Sequence, residues 1–263
     1  MILLGGEQMK NKKAPFKGGK IVVLLASLAV FALGLIFVIS SLLNSNTDFE
    51  NNESTLANAT SSKEEVQLVD NPINFAEESK KYPDIYAWIN IPNTNINYPV
   101  VQHPTKDDFY LKHNAEQKAT KSGAIYSELK NSKDFSDKNT VLYGHNMLNG
   151  SMFRDLHKFR KEDKFFEENK YVYIYTPGHI LTYKIFAAYK TDNRHILKTF
   201  DFSDPVVFKK YLEKAQNPTT LGARSRDIEL NENSKILTLS TCIGDKNYRY
   251  LVQGVLVKDE ATK

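Results

Sequence analysis

The sequence predicts a mainly β domain, an eight-stranded barrel with helical insertions, carried behind an N-terminal transmembrane helix. Three observations lead there. Short runs rich in Val, Ile, Leu, Thr and Tyr recur with period-two alternation through the C-terminal three quarters of the chain. The helical patterns between them are few and short, which excludes a repeating strand–helix–strand order and fits a closed or nearly closed barrel. The segment Ile21 to Leu43 is 23 residues without a charge, roughly 34 Å as a helix and long enough to cross a bilayer core.

The elements follow in order. Lys10, Lys12, Lys13, Lys17 and Lys20 precede the apolar run, and the first residues after it carry acids but no Lys or Arg. The positive-inside rule then assigns residues 1–20 to a cytoplasmic basic tail, 21–43 to a single-pass membrane helix and the rest to the exterior. A signal peptide is the competing reading, but the run is long for one and no small-residue cleavage site closes it. Met9 stands just ahead of the basic flank as a second natural start, which leaves residues 1–8 open. Residues 1–43 hold five Lys and one acid, so the formal charge of +4 belongs to this flank and the remainder is neutral. That points to anionic lipid near the tail and not to nucleic acid. Residues 44–66 are rich in Asn, Ser, Thr and Glu and predict a flexible extracellular tether. Residues 67–263 are of a size for one domain.

Within that domain, Asn71-Pro72 opens a short helix that Pro83 stops. Ile85 to Ile91 alternates as a strand. Asn95 to Val101 is extended, with Pro99 marking it as an edge or irregular strand. Gly123 to Tyr126 and Thr140 to Gly144 predict two more short strands. Ser151 to Phe159 predicts a helix with Met152, Phe153, Leu156 and Phe159 on one side, and Asp163 to Asn169 a weaker one. Lys170 to Pro177 and Ile180 to Thr191 predict a hairpin turning at Pro177-Gly178. Ser203 is placed as the cap of a helix with Val206, Val207, Phe208, Tyr211, Leu212 and Ala215 as its apolar stripe. Lys235 to Thr241 and Tyr248 to Val257 are the last two strands.

The chain has one cysteine, Cys242, at the end of the strand Ile236 to Thr241. A lone thiol in an oxidising exterior is either an inert core residue or a sulfur that does chemistry. A nucleophilic thiolate needs a base or a cation beside it. Of six histidines, His145 stands out: it follows a strand, with Gly144 before it and Asn146 after it. His103, His113, His157, His179 and His195 lie in polar or loop-like contexts and are expected at the surface. No spacing suits a metal site, and no cofactor is expected. Arg249 begins the strand after the Cys242 loop; pairing of the two strands would bring it near the sulfur, where a permanent cation can hold an oxyanion. Ser240 and Thr241 are candidate supporting donors, with Ser240 on the face of Cys242 and Thr241 on the other. A Cys–His pair with an Arg suits acyl transfer through a thioester.

These residues carry a resemblance. Thr238-Leu239-Ser240-Thr241-Cys242 resembles the TLxTC element of sortases. Tyr143-Gly144-His145-Asn146-Met147, running on through Asn149 to Phe153, resembles the class B segment around the catalytic histidine. Trp88 to Gln102, Lys121 to Tyr126 and the position of Arg249 fit the same family. The resemblance implies a sortase β-barrel in a Gram-positive cell membrane, with a catalytic domain outside that cleaves secreted proteins at a C-terminal sorting motif after Thr. The new carboxyl would pass to an amine of peptidoglycan or its lipid-linked precursor. It also implies Cys242 as nucleophile, His145 as general acid/base and Arg249 at the substrate oxygen; Ser240, Thr241 and Asn146 are candidate substrate-binding or supporting residues. Six residues separate Cys242 from Arg249, a short connection for class B; Lys246 and Arg226 are cations that do not lie on the matching strand. A hydrolytic cysteine endopeptidase on the same fold and an inactive surface binding module are the other readings. Both enzyme readings need Cys242; an added amine separates them.

Overall fold

A computed structural model describes residues 68–263, so the expected tail, membrane helix and tether lie outside the described residues. Helix α1 (Phe75–Lys81) is capped by Asn74, whose side chain accepts from the Glu77 amide. Strands β1 (Ile85–Asn90), β2 (Asn97–Val101), β3 (Ile125–Tyr126) and β4 (Asn139–Tyr143) follow, with a 3-10 turn at Phe109–Leu111. A second 3-10 turn, Arg154–His157, leads into α2 (Lys158–Lys161) and α3 (Asp163–Glu168). The hairpin β5 (Tyr171–Thr176) and β6 (His179–Asp192), helices α4 (Ile196–Thr199) and α5 (Pro205–Gln216), and strands β7 (Arg224–Ser225), β8 (Ile236–Cys242) and β9 (Tyr248–Ala261) complete the domain.

The strands run in the order β5-β1-β2-β3-β4-β8-β9-β6, and β6 pairs back onto β5, so eight strands close a barrel. β6 is long enough to do both jobs: its first half pairs with β5, and the free edge of its second half takes the two-residue β7 at Ala187 and Ala188. Alternation divides the core in two. Ile185, Leu237, Leu239 and Val252 point into the barrel with Ile89, Leu142 and Ile174. Their neighbours Phe186, Ile236 and Leu251 point out and are covered by Phe208, Tyr211 and Leu212 of α5. A buried polar network pins that helix to the sheet. Gln253 Nε2 donates to Tyr211 Oη and Thr238 Oγ1, both at 2.8 Å, and Thr238 Oγ1 donates to Asn139 Oδ1 at 2.7 Å. Every hydroxyl and amide there has a partner, which buried polar groups require. The network joins β4, β8 and β9, the three strands whose ends form the site.

Several expectations need correction. β2 is irregular, as Pro99 allows, but not an edge strand: it lies between β1 and β3, its pairing with β1 shifts register between Ile85 and Ala87, and pairing with β3 starts only at Val100. Asp204 caps α5, accepting from the amides of Val206 and Val207, while the Ser203 hydroxyl turns to Asp201. Val206 is 60% exposed and leaves the apolar stripe to Phe208, Tyr211, Leu212 and Ala215. The segment Ser151 to Phe159 is not one α-helix. Met152 takes φ 57°, and the 3-10 turn that follows has three residues per turn, which buries Phe153, Leu156 and Phe159 together.

Candidate active site

β8 is buried on both faces as far as Thr241, and Cys242 is the first residue to emerge, partly buried at its end. Two neighbours fix what stands beside it. β4 runs parallel to β8 with Tyr143 opposite Ser240, and the Gly144 amide continues the ladder to the Ser240 carbonyl at 3.2 Å. That register places His145 level with Cys242. On the other side β9 runs antiparallel, with Arg249 directly opposite Cys242. Residues opposite each other on paired strands project from the same face. His145, Cys242 and Arg249 therefore stand in a row across adjacent strand ends, and all three line one cleft of about 280 Å³. The short six-residue connection is what brings Arg249 into direct register with Cys242. Of the other cations, Arg226 donates to the Ile185 carbonyl and lies over the Phe166 ring, and Lys246 is exposed in the hairpin loop.

The orientation of His145 is set by a backbone acceptor. Its Nε2 lies 2.8 Å from the Leu111 carbonyl oxygen. A carbonyl only accepts, so Nε2 carries the hydrogen of this contact and Nδ1 is the ring nitrogen turned away from it. Two glycines make this possible. A Cβ on Gly144 would lie 2.5 Å from Ile125 and 2.7 Å from Phe153, so the strand enters the site only without a side chain. Gly123 has φ +58°, and a Cβ there would lie 2.6 Å from the Tyr110 carbonyl, 3.0 Å from the Leu111 carbonyl and 3.1 Å from His145 Cδ2. Gly123→Ala is expected to lower kcat about tenfold or more by pushing away the carbonyl that orients His145. A left-handed alanine costs roughly 1–2 kcal/mol besides, so thermal melts and kinetics should both register the change. Normal kinetics with a normal melt would contradict it.

The supporting residues divide. Thr241, 2% exposed, spends its hydroxyl on the Gly144 carbonyl at 2.8 Å, tying the His145 strand to the Cys242 strand. Ser240 is buried and lines the cleft. Asn146 Nδ2 donates to the Cys242 carbonyl at 3.0 Å, and Arg154 donates to Asn146 Oδ1 at 3.0 Å. Leu111, Tyr126, Tyr143, Ile196 and Leu251 give the cleft an apolar wall, with the Tyr126 and Tyr143 rings stacked at 5.5 Å. Burial pushes both phenols well above their usual range, so both are neutral.

Two histidines expected at the surface lie instead in the cleft or against the Cys242 main chain. His195 lines the cleft with its Nε2 2.8 Å from Glu128 Oε1, and burial pushes the Glu128 carboxyl up, with His195 opposing that shift. His157 is buried at 7% exposure, stacked on Tyr250 and 3.0 Å from the Cys242 carbonyl. The spacing of Phe153, Leu156 and Phe159 was the available signal: three buried anchors three residues apart draw the intervening turn inward.

Comparison with known proteins identifies the family. The sortase domain family matches residues 89–257. Sortase B of Listeria monocytogenes is 36% identical over 180 residues, covering 66% of this chain and 70% of its own. Sortase B of Staphylococcus aureus is 29% identical over 168 residues, covering 64% and 67%. The crystal structure of Clostridium perfringens sortase B superposes with a TM-score of 0.63 at 35% identity, covering 70% of this chain and all of the other. With the family match covering residues 89–257, most of the barrel, the chain belongs to the sortases, as a class B cysteine transpeptidase acting on a sorting-signal substrate through a thioester.

Proposed function

We propose that Cys242 is the nucleophile, His145 the general acid/base and Arg249 the group that holds the substrate carbonyl oxygen. The observation that carries this reading is the row of three side chains across β4, β8 and β9, opening into one cleft. Cys242 gives its proton to His145 Nδ1, and Sγ attacks the carbonyl carbon of the scissile peptide bond. Negative charge gathers on the carbonyl oxygen, where the Arg249 guanidinium meets it. The C–N bond then breaks, His145 Nδ1 returns the proton to the departing amine, and a thioester remains on Cys242. An acceptor amine attacks the thioester carbon and loses its proton to His145. The C–S bond breaks, and the sulfur takes the proton back. The net change is one amide exchanged for another.

On this reading the substrates are secreted proteins with a C-terminal sorting motif, cut after Thr, and the acceptor is an amine of peptidoglycan or its lipid-linked precursor. The charge pattern around residues 21–43 supports a single-pass membrane position, with residues 1–20 inside, 44–66 as tether and 67–263 outside. Incubation with sorting-motif peptides, with and without oligoglycine or diaminopimelate, followed by product mass spectrometry, tests the reading. An amine adduct on the Thr carboxyl is the expected product. Free acid alone at every amine concentration would favour the hydrolytic endopeptidase.

A further inference from the structure

One turn holds the main chain of both reacting residues. Phe153, fully buried, donates its amide to the His145 carbonyl at 2.8 Å. Four residues later, His157 Nε2 meets the Cys242 carbonyl at 3.0 Å. Between them, Arg154 holds Asn146, whose Nδ2 donates to the same Cys242 carbonyl. The oxygen of the cysteine's own peptide group thus has two side-chain donors from one segment. Since a carbonyl only accepts, His157 carries its hydrogen on Nε2. Its ring is wedged against Tyr250, with centroids 5.1 Å apart and planes 27° from parallel, so it has no freedom to turn away.

We propose that His157 is a positioning residue for the nucleophile: with Asn146 it clamps the Cys242 carbonyl and so fixes the end of β8 against His145 and Arg249. This rests on the reading of Cys242 as nucleophile. The site needs such a clamp. Cys242 is the last residue of its strand, followed by a loop, and the ladder holds it on the β9 side only through its pairing with Arg249. A displacement of about 1 Å at a reacting atom can cost on the order of 10²-fold in rate. Burial also lowers the His157 pKa, with the Cys242 carbonyl opposing that shift, which keeps the ring a neutral single donor on this side.

The test compares His157→Phe, which keeps a ring against Tyr250 but has no donor, with His157→Gln, whose Nε2 occupies the place of the imidazole Nε2. Both are measured in the full chain in detergent, with Cys242→Ala as control. The expected result for His157→Phe is a fall of about tenfold or more in single-turnover acylation, with KM within twofold and an unchanged melting temperature. His157→Gln should recover most of the lost rate. Acylation by His157→Phe within twofold of the parent, or equal impairment of the Phe and Gln variants, would overturn the proposal. If His157→Phe does not fold, nitrogen NMR of the unmutated protein decides: an Nε2–H tautomer protected from exchange supports the clamp, and an Nδ1–H tautomer overturns it. Turnover retained by Cys242→Ala would instead remove the reading of the nucleophile on which the clamp depends.

Discussion

Cys242→Ala is expected to lower peptide transfer by on the order of 10⁴-fold or more, with the fold intact. The size follows from what is removed. A nucleophile acting with its base is a unit, and loss of either leaves only binding and charge stabilisation. The fold should survive because the cysteine contributes little packing. Its side chain is only partly buried at a strand end, and the main chain around it is held by groups that do not touch sulfur: the Asn146 and His157 donors on its carbonyl, and the pairing with Arg249. Stability should change by less than about 1 kcal/mol. The measurement is steady-state transfer beside a thermal melt. Transfer within tenfold of the parent, from a protein free of wild-type contamination, would remove Cys242 from the chemistry.

Arg249→Ala is expected to cost about 10²–10³ in kcat, the range for loss of one oxyanion donor. Arg249 Nη1 donates to the carbonyl of Tyr248 at 3.1 Å, its own neighbour in the chain. That bond uses one donor of the five-donor fork, and the proposed role at the substrate oxygen draws on the others. The effect should fall on the acylation step, where charge develops, and only weakly on KM. Arg249→Lys should recover part of the rate, since charge returns without the planar fork. Near-normal acylation by Arg249→Ala would sink its assignment. In that case Arg226 and Lys246 gain nothing, because one packs on Phe166 and the other is exposed in the loop.

The barrel was legible in the sequence where chemistry is local. The β5–β6 hairpin follows from alternation about Pro177-Gly178: Tyr171, Tyr173 and Tyr175 take the more exposed positions while Val172 and Ile174 are buried. Strand order was not legible, since it depends on pairings between distant residues such as Leu142 with Leu239. Helix α4 and strand β7 are four and two residues long, too short to show a period. The Cys242–Arg249 pair was readable because a six-residue connection between two strands leaves few arrangements. His145 was readable from its place at a strand end, and its level with Cys242 is a consequence of parallel register that no local pattern encodes. His157 was misread for the opposite reason: its neighbours Lys158, Arg160 and Lys161 speak of solvent, while its own place is decided by Phe153, Leu156 and Phe159. Asp204 displaced Ser203 as cap by one residue, a difference within the ambiguity of adjacent polar residues at a helix start.

The most direct test of the account is rapid quenching of the full chain with a sorting-motif peptide, followed by intact-mass and peptide-mapping mass spectrometry. The predicted result is an acyl adduct on Cys242 that is labile to hydroxylamine and decays, on addition of an amine, at the rate the amide product appears. Turnover without an adduct on Cys242, or an adduct on another residue that decays at the product rate, would contradict it.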